Sequence, residues 1–340
     1  MICPFFGICG GCAYQNLTTE EYRQLKLNFI QNALLHEGLS FPLEDMIEIG
    51  IHSRRRATFA VVNGHLGFNA LKSHQIVEMT ECRVLEPNLE RLMMPLRELA
   101  KSLKQDADIA VLMTPFGADI TVKEHPKKQK RFAKRTKSKE QDVLFTEDVV
   151  DFCRKNNVAR FVYNESIMYQ SVQLPFPANV FMQPSEKGEK ALIDLVLSGC
   201  QNSTKIADLF CGLGTFSKPL ATQNKKVKAF DITSESIDYL NKQGVQAFVR
   251  DLFRQPLTPE ELKAFDCVVL DPARAGAAAQ VKEIANSDLK KVVMVSCNPI
   301  TFAKDCKTLI NAGFEFEKIT PVDQFTYTQH IEVVATLKRK

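Results

Sequence analysis

Two residues towards the C-terminal end of the chain have the types needed for covalent acid–base chemistry. They are Cys297, in Val295-Ser296-Cys297-Asn298-Pro299, and Glu332, in His330-Ile331-Glu332-Val333-Val334. The cysteine closes an apolar run, Val292-Val293-Met294-Val295, and the glutamate opens another, so thiol and carboxylate can converge at one sheet edge, where doubly wound folds place their chemistry. The pair would supply a nucleophile and a base. Either residue alone reads equally well as a half-buried strand-end cysteine or a solvated glutamate, so the elements that position them decide the matter.

Those elements begin with Lys205-Ile206-Ala207-Asp208-Leu209-Phe210-Cys211-Gly212-Leu213-Gly214-Thr215-Phe216, which reads as a short strand, a glycine turn and a helix. Gly212 and Gly214 would let the backbone turn tightly and approach a ligand. A second strand, Val227-Lys228-Ala229-Phe230, ends in Asp231, an acid placed to accept hydrogen bonds from a ribose. Three further runs follow: Ala247 to Asp251, Phe265 to Arg274, and Val292 to Pro299. Strands that each end in a polar residue, with helical stretches between, predict a parallel α/β sheet whose strand ends bind a nucleoside. The turn is too short for the six-residue dinucleotide fingerprint and no Walker lysine follows it, so S-adenosylmethionine fits better than NAD or ATP.

Five motifs in order, Phe181-Met182-Gln183, Asp208 to Gly214, Asp271-Pro272-Ala273-Arg274-Ala275-Gly276, Ser296-Cys297-Asn298-Pro299, and Asp323 to Glu332, resemble those of the RNA uracil-5 methyltransferases of the RlmC, RlmD and TrmA type. One departure is Ala273, where that family usually has a second proline; the loop should loosen slightly without losing a functional group. The resemblance implies a Rossmann-like class I methyltransferase domain that forms 5-methyluridine in RNA. It also implies the roles. Cys297 would add to uracil C6 and Glu332 would remove the C5 proton, while Gln183, Phe210, Thr215, Asp231, Asp251 and Asp271 would contact S-adenosylmethionine. An ordinary thiol is only a few per cent ionised at neutral pH, so Cys297 needs a turn dipole or a cation that the sequence does not identify. Arg274 could hold a phosphate, polarise the uracil or sit in an exposed ion pair. Cys211 and Cys267 lie in apolar strand-like runs and read as packing residues.

Cys3, Cys9 and Cys12 form a Cys-x5-Cys-x2-Cys cluster in a glycine-rich stretch, and Cys82 offers a distant fourth thiol. Four thiolates suit zinc or a [4Fe-4S] cluster, and spacing cannot choose. The resemblance favours [4Fe-4S], and with it 23S rRNA as substrate, tRNA being the alternative. A disulfide framework is disfavoured because no signal peptide precedes these cysteines. The chain starts almost at its first ligand, so the arrangement expected is the one without an N-terminal TRAM/OB barrel.

The 340 residues and 45% hydrophobic content suffice for substantial cores. No apolar run reaches the roughly 18 residues that span a membrane, and a cytoplasmic monomer is expected. Net charge is only +4, yet residues 127–139 hold eight basic residues and no acid, a solvated loop or an RNA phosphate contact. Three regions are expected: a cluster segment over 1–45 with a helix from Thr18 to His36 striped by Tyr22, Leu25, Phe29 and Leu34; a mixed α+β RNA-binding domain over 46–178 carrying Arg54-Arg55-Arg56; and, after the Pro175-Phe176-Pro177-Ala178 linker, the catalytic domain over 179–340. Two other classes fit less well. An enzyme methylating an exocyclic amino group would want an aromatic residue where Arg274 stands. A non-catalytic iron-sulfur RNA-binding protein would leave Cys297 and Glu332, in register with a cofactor site, without a purpose.

Overall fold

The computed structural model describes residues 2–125 and 139–339. The basic run over 127–139 falls outside them, save Lys139 at the start of a helix. The first elements are α1 (Thr19–His36), β1 (Ile47–Glu48), β2 (Arg56–Val62), β3 (His65–Asn69), β4 (Ile76–Val77), α2 (Pro87–Ala100), β5 (Ala107–Thr114), β6 (Gly117–Glu124), α3 (Lys139–Lys155), β7 (Val158–Tyr163) and β8 (Ser166–Gln170). There follow α4 (Glu186–Gly199), β9 (Lys205–Leu209), α5 (Ser217–Thr222), β10 (Lys226–Asp231), α6 (Ser234–Lys242), β11 (Gln246–Val249), α7 (Pro259–Leu262) and β12 (Cys267–Leu270). The chain closes with α8 (Ala278–Ala285), β13 (Lys291–Ser296), α9 (Pro299–Asn311), β14 (Phe314–Asp323) and β15 (Glu332–Arg339).

These elements form two compact units. One comprises residues 1–16, 50–179 and 184–186; the other comprises 17–49, 180–183 and 187–340. The division differs from regions 1–45, 46–178 and 179–340, because α1 joins the C-terminal unit. Thr18 caps α1 with a reciprocal Glu21 bond, and Tyr22, Lys26, Ile30 and Leu34 form its buried stripe. Ile30 and Leu34 pack with Phe302, Leu309 and Phe314. Leu25 and Phe29 are only half-buried. Hydrophobic periodicity could not have placed Lys26 in the middle of that stripe.

The C-terminal unit is built on an eight-stranded sheet in the order β1-β14-β15-β13-β12-β9-β10-β11, parallel except that β15 runs against both neighbours. Its central strands are buried on both faces, which explains their continuous apolar runs. Val268 and Leu270 face the core beneath α1, α8 and α9, whereas Cys267 and Val269 face the core beneath α4 and α5. Cys211 and Cys267 are buried, as packing residues would be.

The other unit holds a seven-stranded sheet, β4-β3-β2-β5-β6-β7-β8, antiparallel except between β6 and β7, which α3 connects. Helices α2 and α3 supply Leu89, Leu92, Met93, Leu96, Val149 and Phe152 to its core. The Pro175–Ala178 stretch is held in place rather than free. Arg160, buried and paired to both oxygens of Asp119 at 2.9 and 2.6 Å, donates two further N–H groups to the carbonyls of Phe176 and Pro177. Among the described residues no helix is long and apolar enough to cross a membrane.

Because Ile30 is fully buried against α9 and the sheet, Ile30→Ala should lower unfolding free energy by about 2–5 kcal/mol. Urea denaturation followed by circular dichroism measures this; a change below about 1 kcal/mol would mean that α1 is not part of this core.

Candidate active site

The sheet order reverses between β9 and β12, and at such a switch point the carboxyl ends of the strands open a ligand crevice. Phe210, Asp231, Asp251 and Asp271 all follow or end strands at this edge, as does Cys297 after β13. Because β15 is antiparallel, its first residue, Glu332, arrives at the same edge. The two glycines of the turn have different tasks. Gly212 has φ of 51° and open space where a Cβ would stand, so it leaves room beside the strand ends. Gly214 has φ of 76°, and its Cβ would lie 2.3 Å from Leu240, so it allows close packing on α6.

Asp231 is fixed by accepting the N–H groups of Gly212 and Thr233, both at 2.9 Å. Asp251 accepts from Phe253 at 3.0 Å and Arg254 at 3.3 Å. Phe210, in the left-handed region at φ 63°, packs its ring on Phe253. Thr215 lies half-buried after the glycine turn. Asp208 is wholly buried; Ser217 donates to one of its oxygens while the other has no protein partner, and burial raises its pKa to about 7. An orphaned carboxylate oxygen beside an open glycine turn, with Asp231, Asp251 and Asp271 along the same edge, fits a ligand bearing hydroxyls and positive charge. S-adenosylmethionine is such a ligand.

At the reacting edge, Asn298 caps α9 through the Ile300 N–H at 3.1 Å and donates its amide to the Arg274 carbonyl at 2.9 Å. The Cys297 and Arg274 loops are thereby joined. The Arg274 guanidinium meets His330 Nε2 at 2.8 Å. Burial, then the charges of Glu332 and Asp271, push the Cys297 thiol up to about 11, and Arg274 opposes them. Arg274 thus acts on the thiol as a cation, without offsetting burial and the two carboxylates. Glu332 is 4% exposed, and burial raises its pKa to about 7 against the pull of Gln324 and Arg274. Burial and the charges of Glu332 and Asp208 likewise raise Asp271. A carboxyl group poised near neutrality can exchange a proton with a reacting carbon.

Glu332 belongs to a chain of amides. Gln324 Nε2 donates to Glu332 Oε1 at 3.0 Å and to Gln183 Oε1 at 2.9 Å, which sets Gln183 beside the base. A Cβ on Gly188 would stand 2.6 Å from Gln324 Oε1, so only glycine leaves this amide its place. The loop from Asp323 to Ile331 is held by α1. Tyr22 donates its hydroxyl to Asp323 Oδ2 at 2.5 Å and accepts the N–H of Tyr327 at 2.8 Å, where the backbone has φ of 63°. Lys26, wholly buried, sits 2.8 Å from Asp323 Oδ1 and donates to the carbonyls of Phe325 and His330 at 3.2 and 2.5 Å. Lys26 and Gly188 were not singled out from the sequence; Tyr22 read only as part of the α1 stripe, and Asp323 and Gln324 as members of the last motif.

In the other unit, Cys3, Cys9, Cys12 and Cys82 border one cavity of about 480 Å³. Gly11 N–H lies 3.4 Å from Cys9 Sγ, and the N–H groups of Val84 and Leu85 reach the Cys82 sulfur. Burial nevertheless raises the Cys82 thiol to about 12. Arg54, half-buried, exerts its charge on Cys12, and Arg54 and Arg56 line the same cavity while Arg55 is buried. The arginine triplet is thus turned inwards and not spread over an open face. Among the described residues no three His, Cys, Asp or Glu groups are close enough to hold a single metal ion. Four thiols bordering one cavity are a donor set of the kind that soft metal centres use.

A family model described as tRNA (uracil-5-)-methyltransferase matches residues 134–264 and 243–340. An uncharacterised RNA methyltransferase of Agrobacterium fabrum is 36% identical over 98% of this chain and 83% of its own length. A protein of Yersinia enterocolitica named 23S rRNA (uracil(1939)-C(5))-methyltransferase RlmD is 28% identical over 98% of this chain and 80% of its own. The crystal structure of Pyrococcus abyssi tRNA (uracil-54, C5)-methyltransferase with S-adenosyl-L-homocysteine superposes with a TM-score of 0.69 at 21% identity, covering 96% of this chain and 85% of that one, a likeness of fold.

Removing the Lys26 ammonium leaves the Asp323 carboxylate buried and unpaired. Lys26→Met should cost about 3–5 kcal/mol of stability, read from urea unfolding; retained stability would show that the loop does not depend on this ion pair.

Proposed function

We propose, for a chain that belongs to the tRNA (uracil-5-)-methyltransferase family and is an S-adenosylmethionine-dependent RNA methyltransferase, that its strand-end site methylates C5 of a uridine in 23S rRNA. The observation that carries the reading is the meeting of Cys297, Glu332, Asp271 and Arg274 at one edge of the sheet, each acting electrostatically on the thiol. Gln183, Phe210, Thr215, Asp231, Asp251 and Asp271 are assigned to the cofactor. When bound, S-adenosylmethionine supplies an electrophilic methyl group on a positively charged sulfur.

The protein's own groups do the rest. Cys297 gives its proton to solvent, with Arg274 stabilising the thiolate, and its sulfur adds to uracil C6; the C5–C6 electron pair moves onto C5 and the C4 carbonyl, making C5 a carbon nucleophile. After C5 has gained the methyl group, Glu332 takes the C5 proton. The electrons of that C–H bond rebuild C5–C6 and expel the Cys297 thiolate. Gln324 and Gln183 hold the Glu332 carboxylate in place throughout.

The four cysteines are assigned to a structural [4Fe-4S] cluster, since a fully ligated cluster has no open coordination position. Their arrangement and the likeness to the Yersinia rRNA enzyme favour 23S rRNA over tRNA. Mapping 5-methyluridine in both RNAs from a deletion strain tests the choice; loss from tRNA alone would overturn it.

Cys297→Ala should abolish methylation while retaining cofactor binding. Glu332→Gln should accumulate a methylated covalent protein–RNA adduct on a denaturing gel, with turnover reduced roughly 10²- to 10⁴-fold. Normal turnover in Glu332→Gln would refute its role. In the wild type, single-turnover methyl transfer should rise with pH towards about 11 as Cys297 loses its proton. Product release, which needs ionised Glu332, should rise with pH to about 7, and Glu332→Gln should lack that inflection. Anaerobically purified protein should contain about four irons per chain, and Cys12→Ala should impair folding and RNA binding before the chemical step. One zinc per chain without iron or sulfide would rule the cluster out.

A further inference from the structure

A second cavity, of about 570 Å³, opens beside Cys297 between α1 and α9. Neither Glu332 nor any residue assigned to the cofactor lines it. The cavity therefore adjoins the Cys297 site without enclosing Glu332. The volume is within the roughly 300–1,000 Å³ of ligand sites. His36 and Glu37 border it, and the rest of its walls combine three chemistries. Phe29 from α1, with Ile300 from α9, presents an apolar face; Arg274 and Lys304 present cations; Asn32 and Gln329 present amides. An aromatic platform beside cations and amides is the set that binds a single-stranded nucleotide by stacking, phosphate neutralisation and contact with a base edge.

We propose that this cavity is a subsite for the nucleotide adjoining the target uridine, its base on Phe29 and its phosphate on Lys304 and Arg274. The inference rests on the RNA reading of the Cys297 site. It makes α1 part of the RNA-binding surface, and it gives the enzyme a means of choosing among uridines by the neighbour that accompanies the target. Lys304 is exposed, so its removal spares the core. Phe29 packs partly against the core, so Phe29→Leu, which keeps bulk and loses the ring, accompanies Phe29→Ala.

The test uses the full chain and an oligoribonucleotide spanning the uridine that the wild type methylates in unmodified 23S rRNA. If the wild type methylates neither 23S rRNA nor tRNA, the proposed function fails and the subsite falls with it. With methylation established, Phe29→Ala and Phe29→Leu should weaken RNA binding by roughly five- to a hundredfold, with kcat at saturation unchanged. Lys304→Ala should lower the slope of log Kd against log salt by about 0.7, the share of one single-strand phosphate. An abasic residue on one side of the target should weaken binding by the wild type as much as Phe29→Ala does, and should add nothing in Phe29→Ala. Unchanged affinity in both Phe29 variants, an unchanged salt slope in Lys304→Ala, or additive losses with the abasic RNA would overturn the proposal.

Discussion

The catalytic edge depends on an ammonium group removed from water. Lys26 lies in the buried stripe of α1, paired with Asp323 and donating to the Phe325 and His330 carbonyls. Desolvation lowers its pKa and Asp323 opposes that shift. An uncompensated ion in such a place would cost several kcal/mol, so the loop must present its carboxylate and carbonyls to the ammonium or the unit is destabilised. The loop so fixed carries His330, which meets Arg274, and Gln324, which holds Glu332. One buried cation thus bears on the positions of both Arg274 and Glu332.

The same edge crowds acids. Asp208, Asp271 and Glu332 are all raised by burial, and Asp208 and Glu332 raise Asp271 further. In the free protein these groups keep the Cys297 thiol protonated, because Arg274 alone does not offset burial and two carboxylates. A positively charged ligand among them would favour their ionised forms. The site is therefore electrostatically matched to a cation.

The other unit solves a different problem with similar means. Four thiols border one cavity, where three backbone N–H groups directed at two of the sulfurs and the charge of Arg54 on Cys12 oppose, without overcoming, the burial that keeps these thiols protonated. The close approach of the cysteine loop to β3 is visible at Gly10, which bonds Asn69 O at 2.9 Å and whose Cβ would stand 3.0 Å from that oxygen.

The parallel sheet and its polar strand ends were legible in the sequence because each motif is local. A strand that ends in Asp231 or Cys297 announces itself by its apolar run and by the turn that follows, and the parallel sheet follows from the repetition of such units. The tertiary structure alone decided which of those ends meet, and what holds them. Tyr22 and Asp323 are 301 positions apart, Lys26 and His330 are 304 apart, and Arg274 and His330 are 56 apart. Such partners share no periodicity. A buried lysine differs from an exposed one only in what the remote chain brings to it, so α1 read as an ordinary amphipathic helix of the cysteine segment. The free energy that assigns it to the catalytic unit comes from contacts with Phe302, Leu309 and Asp323, which exist only after folding.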